Sequence, residues 1–239
     1  MSIDRHSGTT GHPTHTTKAP GNSPHTRAAA RLVVRRADSE GELRRFEQWS
    51  AMAGHSDPQM LVDLLIGSSW DGVLGSALTN SATERIQQLL DSRGGVPAAA
   101  AARTAVLVAV VDGYIAGGII AGPSWPLLTR VMSADHDTLM AALLKTSELQ
   151  IVGVDDEHRE RGVGKALVEA AIDAARLAQA NIFYGQFDTE REHLTSFYRS
   201  CRLTVQHPNL GLDFAEFVDI PAHLHATAEE RYFYCTLDT

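Results

Sequence analysis

Cysteine is nearly missing. Cys201 and Cys235 are the only two in 239 residues, too few for a disulfide scaffold. Positive charge is also short: 21 Lys and Arg stand against 29 Asp and Glu, a formal net charge of -8. Such a chain lacks the clustered basic residues that a phosphate backbone demands, which argues against nucleic acid as a partner. Long uninterrupted apolar runs are absent as well. The longest, residues 105–122, is broken by Asp112-Gly113, and an aspartate at the centre of a membrane helix would be costly. Two strands joined by an Asp-Gly turn explain it better. The first thirty residues lack an apolar core segment and are rich in Ser, Thr, Gly, Pro and His, so they do not read as a secretory signal. The expectation is a cytoplasmic protein with no membrane partner.

What is present suffices for a sizeable core, and one domain is the simplest organisation. Residues 1–30 read as a disordered tail, with His6, His12, His15 and His25 too scattered to form a metal site. The folded domain is expected over residues 31–239. Leu32 to Val34 forms a first strand, and Asp38 or Ser39 caps a helix through about Ser50. A helix from Asp57 has Met60, Leu61, Leu64 and Leu65 as its apolar side, and another spans residues 81–92. Gly94-Gly95 and Pro97 end it, and residues 98–102 stay open between loop and helix. Residues 104–111 and 114–120 form the hairpin, with Gly117 and Gly118 marking a bulge or close packing. Residues 135–145 read as a helix. Residues 182–187, 203–205, 214–220 and 231–237 read as strands, with a helix opened by Asp188 or Thr189 after the first of them.

The stretch that organises the chain runs from Ser147 to Ala180. An apolar strand, Glu148 to Val154, enters a charged turn, and a helix follows with Leu167, Ala171, Ala174 and Leu177 near one face. The turn is Arg159-Glu160-Arg161-Gly162-Val163-Gly164-Lys165. A glycine-bearing turn into a helix start offers free N–H groups and a favourable dipole to an anion. The spacing is neither a P-loop nor the dinucleotide fingerprint. It resembles the acetyl-CoA-binding motif of the GNAT N-acetyltransferase superfamily, an Arg or Gln, two residues, Gly, one residue, then Gly or Ala. Arg159, Gly162 and Gly164 match every fixed position. A second family piece, Phe-Tyr, three residues, Gly-Phe, is matched in part by Phe197-Tyr198 through Leu203. Arg202 replaces its glycine, Leu203 its aromatic residue, and Arg191 an asparagine common near the start of that helix.

The resemblance implies an α/β fold with a mixed, mainly antiparallel sheet, a central V-shaped splay between the fourth and fifth strands, and flanking helices. It implies acetyl-CoA as acyl donor, with Val152 and Val154 offering strand backbone to the pantetheine arm. The amides of Glu160, Arg161, Gly162, Val163, Gly164 and Lys165, with Arg159 beside them, would hold the pyrophosphate. Tyr198 is the candidate acid for the thiolate leaving group. Glu148 is the candidate base, on the strand face shared with Gln150 and Val152; Asp188 and Glu190 are weaker ones, and Asp155 and Asp156 weaker still. The expected partner is a small-molecule or peptide amine; no metal is expected, and a homodimer is left open. Competing readings are a nucleotide-binding oxidoreductase, for which the glycine turn stands in the wrong place, and a non-catalytic acetyl-CoA-binding or protein-interaction module of the same fold. Trp49, Trp70 and Trp125 read as core or interface residues, with walls of an acceptor pocket as the alternative, and His223 and His225 are a pair without a third ligand.

Overall fold

The computed structural model describes residues 31–79 and 82–237; the expectation for residues 1–30 lies outside them. Strand β1 (Leu32–Arg36) precedes four helices, α1 (Glu40–Ala53), α2 (Pro58–Trp70), α3 (Ala82–Leu90) and α4 (Gly95–Ala102). The hairpin β2 (Ala105–Val111) and β3 (Tyr114–Gly122) leads to α5 (Trp125–Val131) and α6 (His136–Lys145). Then come β4 (Thr146–Val154), a short 3-10 turn (Asp156–His158), α7 (Val163–Leu177) and β5 (Ile182–Asp188). The chain continues through α8 (His193–Ser200), β6 (Thr204–Val205), β7 (Leu212–Asp213), α9 (Ala215–Val218), β8 (His223–Leu224) and β9 (Glu230–Thr236).

Local chemistry accounts for most boundaries. The Ser39 side chain accepts the Glu42 N–H at the start of α1, and Gly54 closes that helix in a left-handed conformation. Asp57 caps α2 in the same way. Asp112 and Gly113 both have positive φ, 51° and 91°, as a tight hairpin turn requires.

Seven strands form one sheet in the order β1-β2-β3-β4-β5-β9-β6. Every neighbouring pair is antiparallel except β4 and β5, which run parallel through the α7 crossover. Alternation along the strands divides the core. Leu107, Ile119, Leu149, Phe183 and Phe233 face α7 and α8. On the opposite face, Val106, Val108, Ile120 and Ile151 meet α1 and α2, and Ile182, Tyr184 and Tyr232 meet the layer built from α3 to α6. Gly118 and Gly153 belong to this second face, where a Cβ at either would collide with the Trp49 indole. Close packing therefore explains Gly118.

Several expectations need correction. In α2 the buried residues are Val62, Leu65 and Ile66, whereas Met60 and Leu64 are exposed. Apolar residues surround that helix on nearly all sides, so periodicity could not choose the face that α1 covers. In α7 the buried stripe is Leu167, Val168, Ala171, Ile172 and Ala175. Leu177 is exposed, because ten residues after Leu167 place it roughly 80° around the helix. Residues 95–102, including Pro97 and the alanine run, are the helix α4. Residues 215–218 form α9 and not a strand: Phe214 and Val218 stand one helical turn apart, both buried. Helix α5 was not anticipated; Ser124 caps it and Pro126 sits in its first turn. Thr189 does not cap α8, which starts at His193 without a side-chain cap.

One buried cation ties the helix layers together. The Arg103 guanidinium donates to the carbonyls of Ala77, Leu143, Leu144 and Ala178, at 2.7–3.1 Å. Three of these carbonyls lie at the C-terminal ends of α6 and α7, the negative ends of their dipoles. Burial lowers its pKa to about 10, so it stays charged at neutral pH. Arg103→Met should cost on the order of 3 kcal/mol, because several buried carbonyls lose their donors. A lower urea midpoint with an unchanged slope checks this.

Candidate functional site

Strands β4 and β5 pair only from Thr146 to Leu149 against Ile182 to Gly185. Beyond that point they diverge. The cause is visible on the other side of β4, where Ile120 pairs with Ile151 and Ala121 with Leu149. Gln150 is thus an extra residue, and a bulge bends and twists the strand that carries it. Asp155 donates its N–H to Ala116 O, which sets the antiparallel phase. With the register Gly117–Val154 and Ile119–Val152, the backbone groups of Val152 and Val154 turn away from β3 and into the opening. The bulge also corrects one expectation. Val152 packs with Leu149 in the α7 layer, while Glu148 lies on the opposite face, so Glu148 and Val152 do not share a face.

The same strand runs directly into the charged turn. Glu160 and Gly162 have φ of 58° and 81°; left-handed backbone at alternate residues forms an anion-binding concavity. Gly162 is the N-cap of α7, a position where its freedom at positive φ is needed. Ala166 is the first residue whose N–H bonds back, to Gly162 O. Among the described residues, the N–H groups from Glu160 to Lys165 find no hydrogen-bond acceptor. Gly164 has ordinary helical backbone, and a Cβ there would lie 3.4 Å from the Phe197 ring and 3.6 Å from Val154. It therefore adjoins the end of the opening. Arg159 is less free than its charge suggests: it bonds Val154 O and pairs with Asp156. Lys165 stands 3.9 Å from Glu169.

Glu148 is paired in register with Tyr184, on the face opposite α7. Burial pushes its carboxyl up to about 7, with the nearby Ser124 hydroxyl pulling the other way. Tyr184 is fully buried, its ring edge-on to Phe214 at 5.1 Å. Burial and the Glu148 charge raise its pKa, so the phenol is neutral. Its Oη nevertheless makes no hydrogen bond of good geometry. Tyr232 stands close by, pushed up to about 12 first by burial and then by Glu230 and Glu148. Ser124, Tyr184 and Tyr232 were not anticipated as site residues. A usable signal was the polar face of β5, where Tyr184, Gln186 and Asp188 alternate with Phe183 and Phe187.

Tyr198 lies on the other face. Its ring is buried, stacked on Phe233 at 3.8 Å and 18°, with Phe187 and Phe197 at 5.5 and 5.0 Å. Burial raises its pKa far above the ordinary value, so the phenol keeps its proton. The structure thus brings Val152, Val154 and residues 160–165 to one end of the opening, but places Glu148 and Tyr198 on opposite sides of the sheet. Just past α8, Arg202 adopts φ 64°. Its backbone keeps the left-handed shape natural to glycine, at a cost of roughly 1–2 kcal/mol of strain. Arg191 reaches toward α1, donating to Met52 O at 3.5 Å.

The remaining candidates separate readily. Asp155 is engaged by Arg45 at 2.6 Å and by Trp49 Nε1 at 2.9 Å, an arrangement that locks α1 to the end of β4. Trp49 is core, whereas Trp70 and Trp125 are exposed. The rings of His223 and His225 lie 4.4 Å apart, and no metal-holding group of three or more ligands exists among the described residues. Asp188 accepts the Glu190 N–H. An open groove of about 490 Å³ runs along α1 and the start of α2, with Arg44, Arg45, Glu47 and Asp57 among its lining. It shares no residue with the Glu148 cluster or the charged turn.

The acetyltransferase (GNAT) family model matches residues 76–201, more than half of the chain. No curated protein matches. Solved structures similar to this chain include a ribosomal-protein-alanine N-acetyltransferase from Brucella melitensis, 15% identical, covering 86% of this chain and 99% of that one with a TM-score of 0.49. A Bacillus subtilis acetyltransferase in complex with CoA is 14% identical over 87% and 99% of the two chains, TM-score 0.45. A variant spermidine N-acetyltransferase from Vibrio cholerae is 11% identical over 86% and 93%, TM-score 0.46.

Proposed function

This chain belongs to the acetyltransferase (GNAT) family, and from that premise we propose that it transfers an acetyl group from acetyl-CoA to a primary amine of a small molecule or peptide, by direct attack in a ternary complex. The observation that carries the proposal is the continuity of the β4–β5 opening with the unpaired amides of the turn. Val152 and Val154 turn their backbone into the opening, as the amide-bearing pantetheine arm needs. The unpaired N–H groups of residues 160–165 suit a pyrophosphate. Acetyl-CoA supplies the acyl group as an activated thioester.

The chain's own residues divide the remaining work. Glu148 takes a proton from the amine on one face of the sheet. Tyr198 keeps its proton on the other and offers it, as a hydrogen bond, to the thiolate that develops in the gap between the two strands. Glu148 acts as base only when ionised, so turnover should rise as pH passes through about 7. The acidic balance of the chain favours a cationic amine. Among the described residues no helix is long and apolar enough to cross a membrane.

The raised carboxyl pKa also has a consequence for stability. Glu148 is held at about 7 against an ordinary 4.5, so the folded state binds the extra proton between those values. Stability from this group is therefore greatest at low pH and falls as pH rises through about 7. Glu148→Gln should leave the melting temperature unchanged near pH 4 and raise it at pH 8. Parallel thermal melts at the two pH values check the sign.

A thermal-shift panel of acetyl-CoA, CoA, NAD and ATP tests the donor, and thiol release across aminoglycosides, polyamines, amino acids and N-terminal peptides tests the transfer. Stabilisation by NAD and not by CoA would defeat the proposal. A non-catalytic acetyl-CoA-binding module gains support from the burial of Tyr198 and from Arg202 in place of glycine. It requires CoA binding with no amine-dependent thiol release.

A further inference from the structure

The Glu148 cluster contains a buried hydroxyl whose hydrogen bonding the fold leaves incomplete. Tyr184 shows no exposed surface, and among the described residues its Oη makes no hydrogen bond of good geometry, although the Ser124 hydroxyl lies near it. An unmade bond in such a place is destabilising, and phenylalanine would pack as well without it. Tyr184 sits directly across from Glu148 in the parallel pair, and both feel the Ser124 hydroxyl. Glu148 retains some exposed surface, so the cluster is open at that edge. Two carboxylates, Glu148 and Glu230, and one guanidinium, Arg130, act on it.

Resting on the acetyltransferase reading above, we propose that Glu148, Tyr184 and Ser124 seat the acceptor nitrogen as an alkylammonium, with Tyr184 Oη accepting one of its hydrogens. Tyr184 is then a substrate-binding residue. An ammonium has three N–H donors, which can meet a Glu148 carboxylate oxygen, Tyr184 Oη and Ser124 Oγ at once. The phenol makes no hydrogen bond of good geometry to the carboxylate, so a nitrogen that bonds both would complete the hydroxyl's bonding. The walls are the rings of Tyr184, Phe214 and Tyr232, which suit the alkyl stem. An amine with a carboxylate on the neighbouring carbon would bring that charge beside Glu148, so free amino acids are disfavoured. The preferred class is an alkylammonium lacking that carboxylate.

The test needs neither acetyl-CoA nor turnover. The carbon-13 carboxyl resonance of Glu148, identified by its loss in Glu148→Gln, is followed during titration with n-butylammonium and with glycine. The wild-type resonance should move saturably with butylammonium, and the carboxyl should titrate at lower pH when the amine is bound. Glycine should bind about tenfold or more weakly, as should butylammonium to Tyr184→Phe, the worth of one charge-assisted hydrogen bond. The melting temperature of Tyr184→Phe should be equal to or above that of the wild type. An unmoved wild-type resonance overturns the proposal, and so does equal butylammonium affinity in Tyr184→Phe, which would assign the hydroxyl to a water. Failure of acetyl transfer itself would show separately, in the thiol-release assay.

Discussion

Tyr198→Phe is expected to lower amine-dependent thiol release by about a hundred- to ten-thousand-fold, the range for a positioned proton donor. Acetyl-CoA affinity and melting temperature should change little. The aromatic packing predicts the second half of this result: the ring is stacked on Phe233 and flanked by Phe187 and Phe197, contacts that phenylalanine keeps. The loss of rate follows if the hydroxyl reaches the gap between β4 and β5, where charge collects on sulfur. Burial holds the phenol protonated, the state a donor needs. Pre-steady-state thiol release beside calorimetric binding separates the outcomes. A wild-type rate would reduce Tyr198 to a packing residue, and loss of binding with loss of rate would place it in the cofactor grip.

Gly164→Leu should abolish measurable CoA binding and leave a folded protein, with at least a hundredfold loss of affinity expected because the cofactor needs close backbone approach here. A Cβ at this position points toward Phe197 and Val154, and leucine would extend into the space where the opening meets the turn. Gly164→Ala provides the control. Its methyl fits at ordinary contact distance, and alanine favours the helix, so its melting temperature should not fall. Unchanged affinity in the leucine variant, measured by calorimetry, would remove the turn from the cofactor site.

Features that local chemistry writes were legible in the sequence. The strand, the Gly162 and Gly164 turn and the α7 helix follow within one stretch, and each is signalled by residues a few positions apart. The Asp38-or-Ser39 cap, the helix starts at Asp57 and Asp135 and the Asp112-Gly113 turn were readable for the same reason. The bulge at Gln150 was not, because it arises from the register of β3 against β4. With it went the side-chain faces: strict alternation put Glu148 and Val152 together, and one extra residue separates them. The buried side of α2 depended on α1, which no periodicity in an almost wholly apolar helix reveals. Tyr184 went unremarked within the 182–187 strand, since only tertiary structure sets its hydroxyl beside Glu148 and Ser124 without a bond of good geometry. Arg202 was legible as a departure, and its φ of 64° shows that the backbone kept its shape while the residue changed.

The central claim is that acetyl-CoA lies in the β4–β5 opening with its phosphates on the start of α7. Amide nitrogen-15 spectra of the backbone-assigned protein, titrated with CoA, test it most directly. The largest shifts should fall on Val152, Val154 and residues 160–165, with the α1–α2 groove around Arg44 and Gln59 nearly still. Shifts centred on that groove, with the amides of residues 160–165 unmoved at saturation, would contradict it.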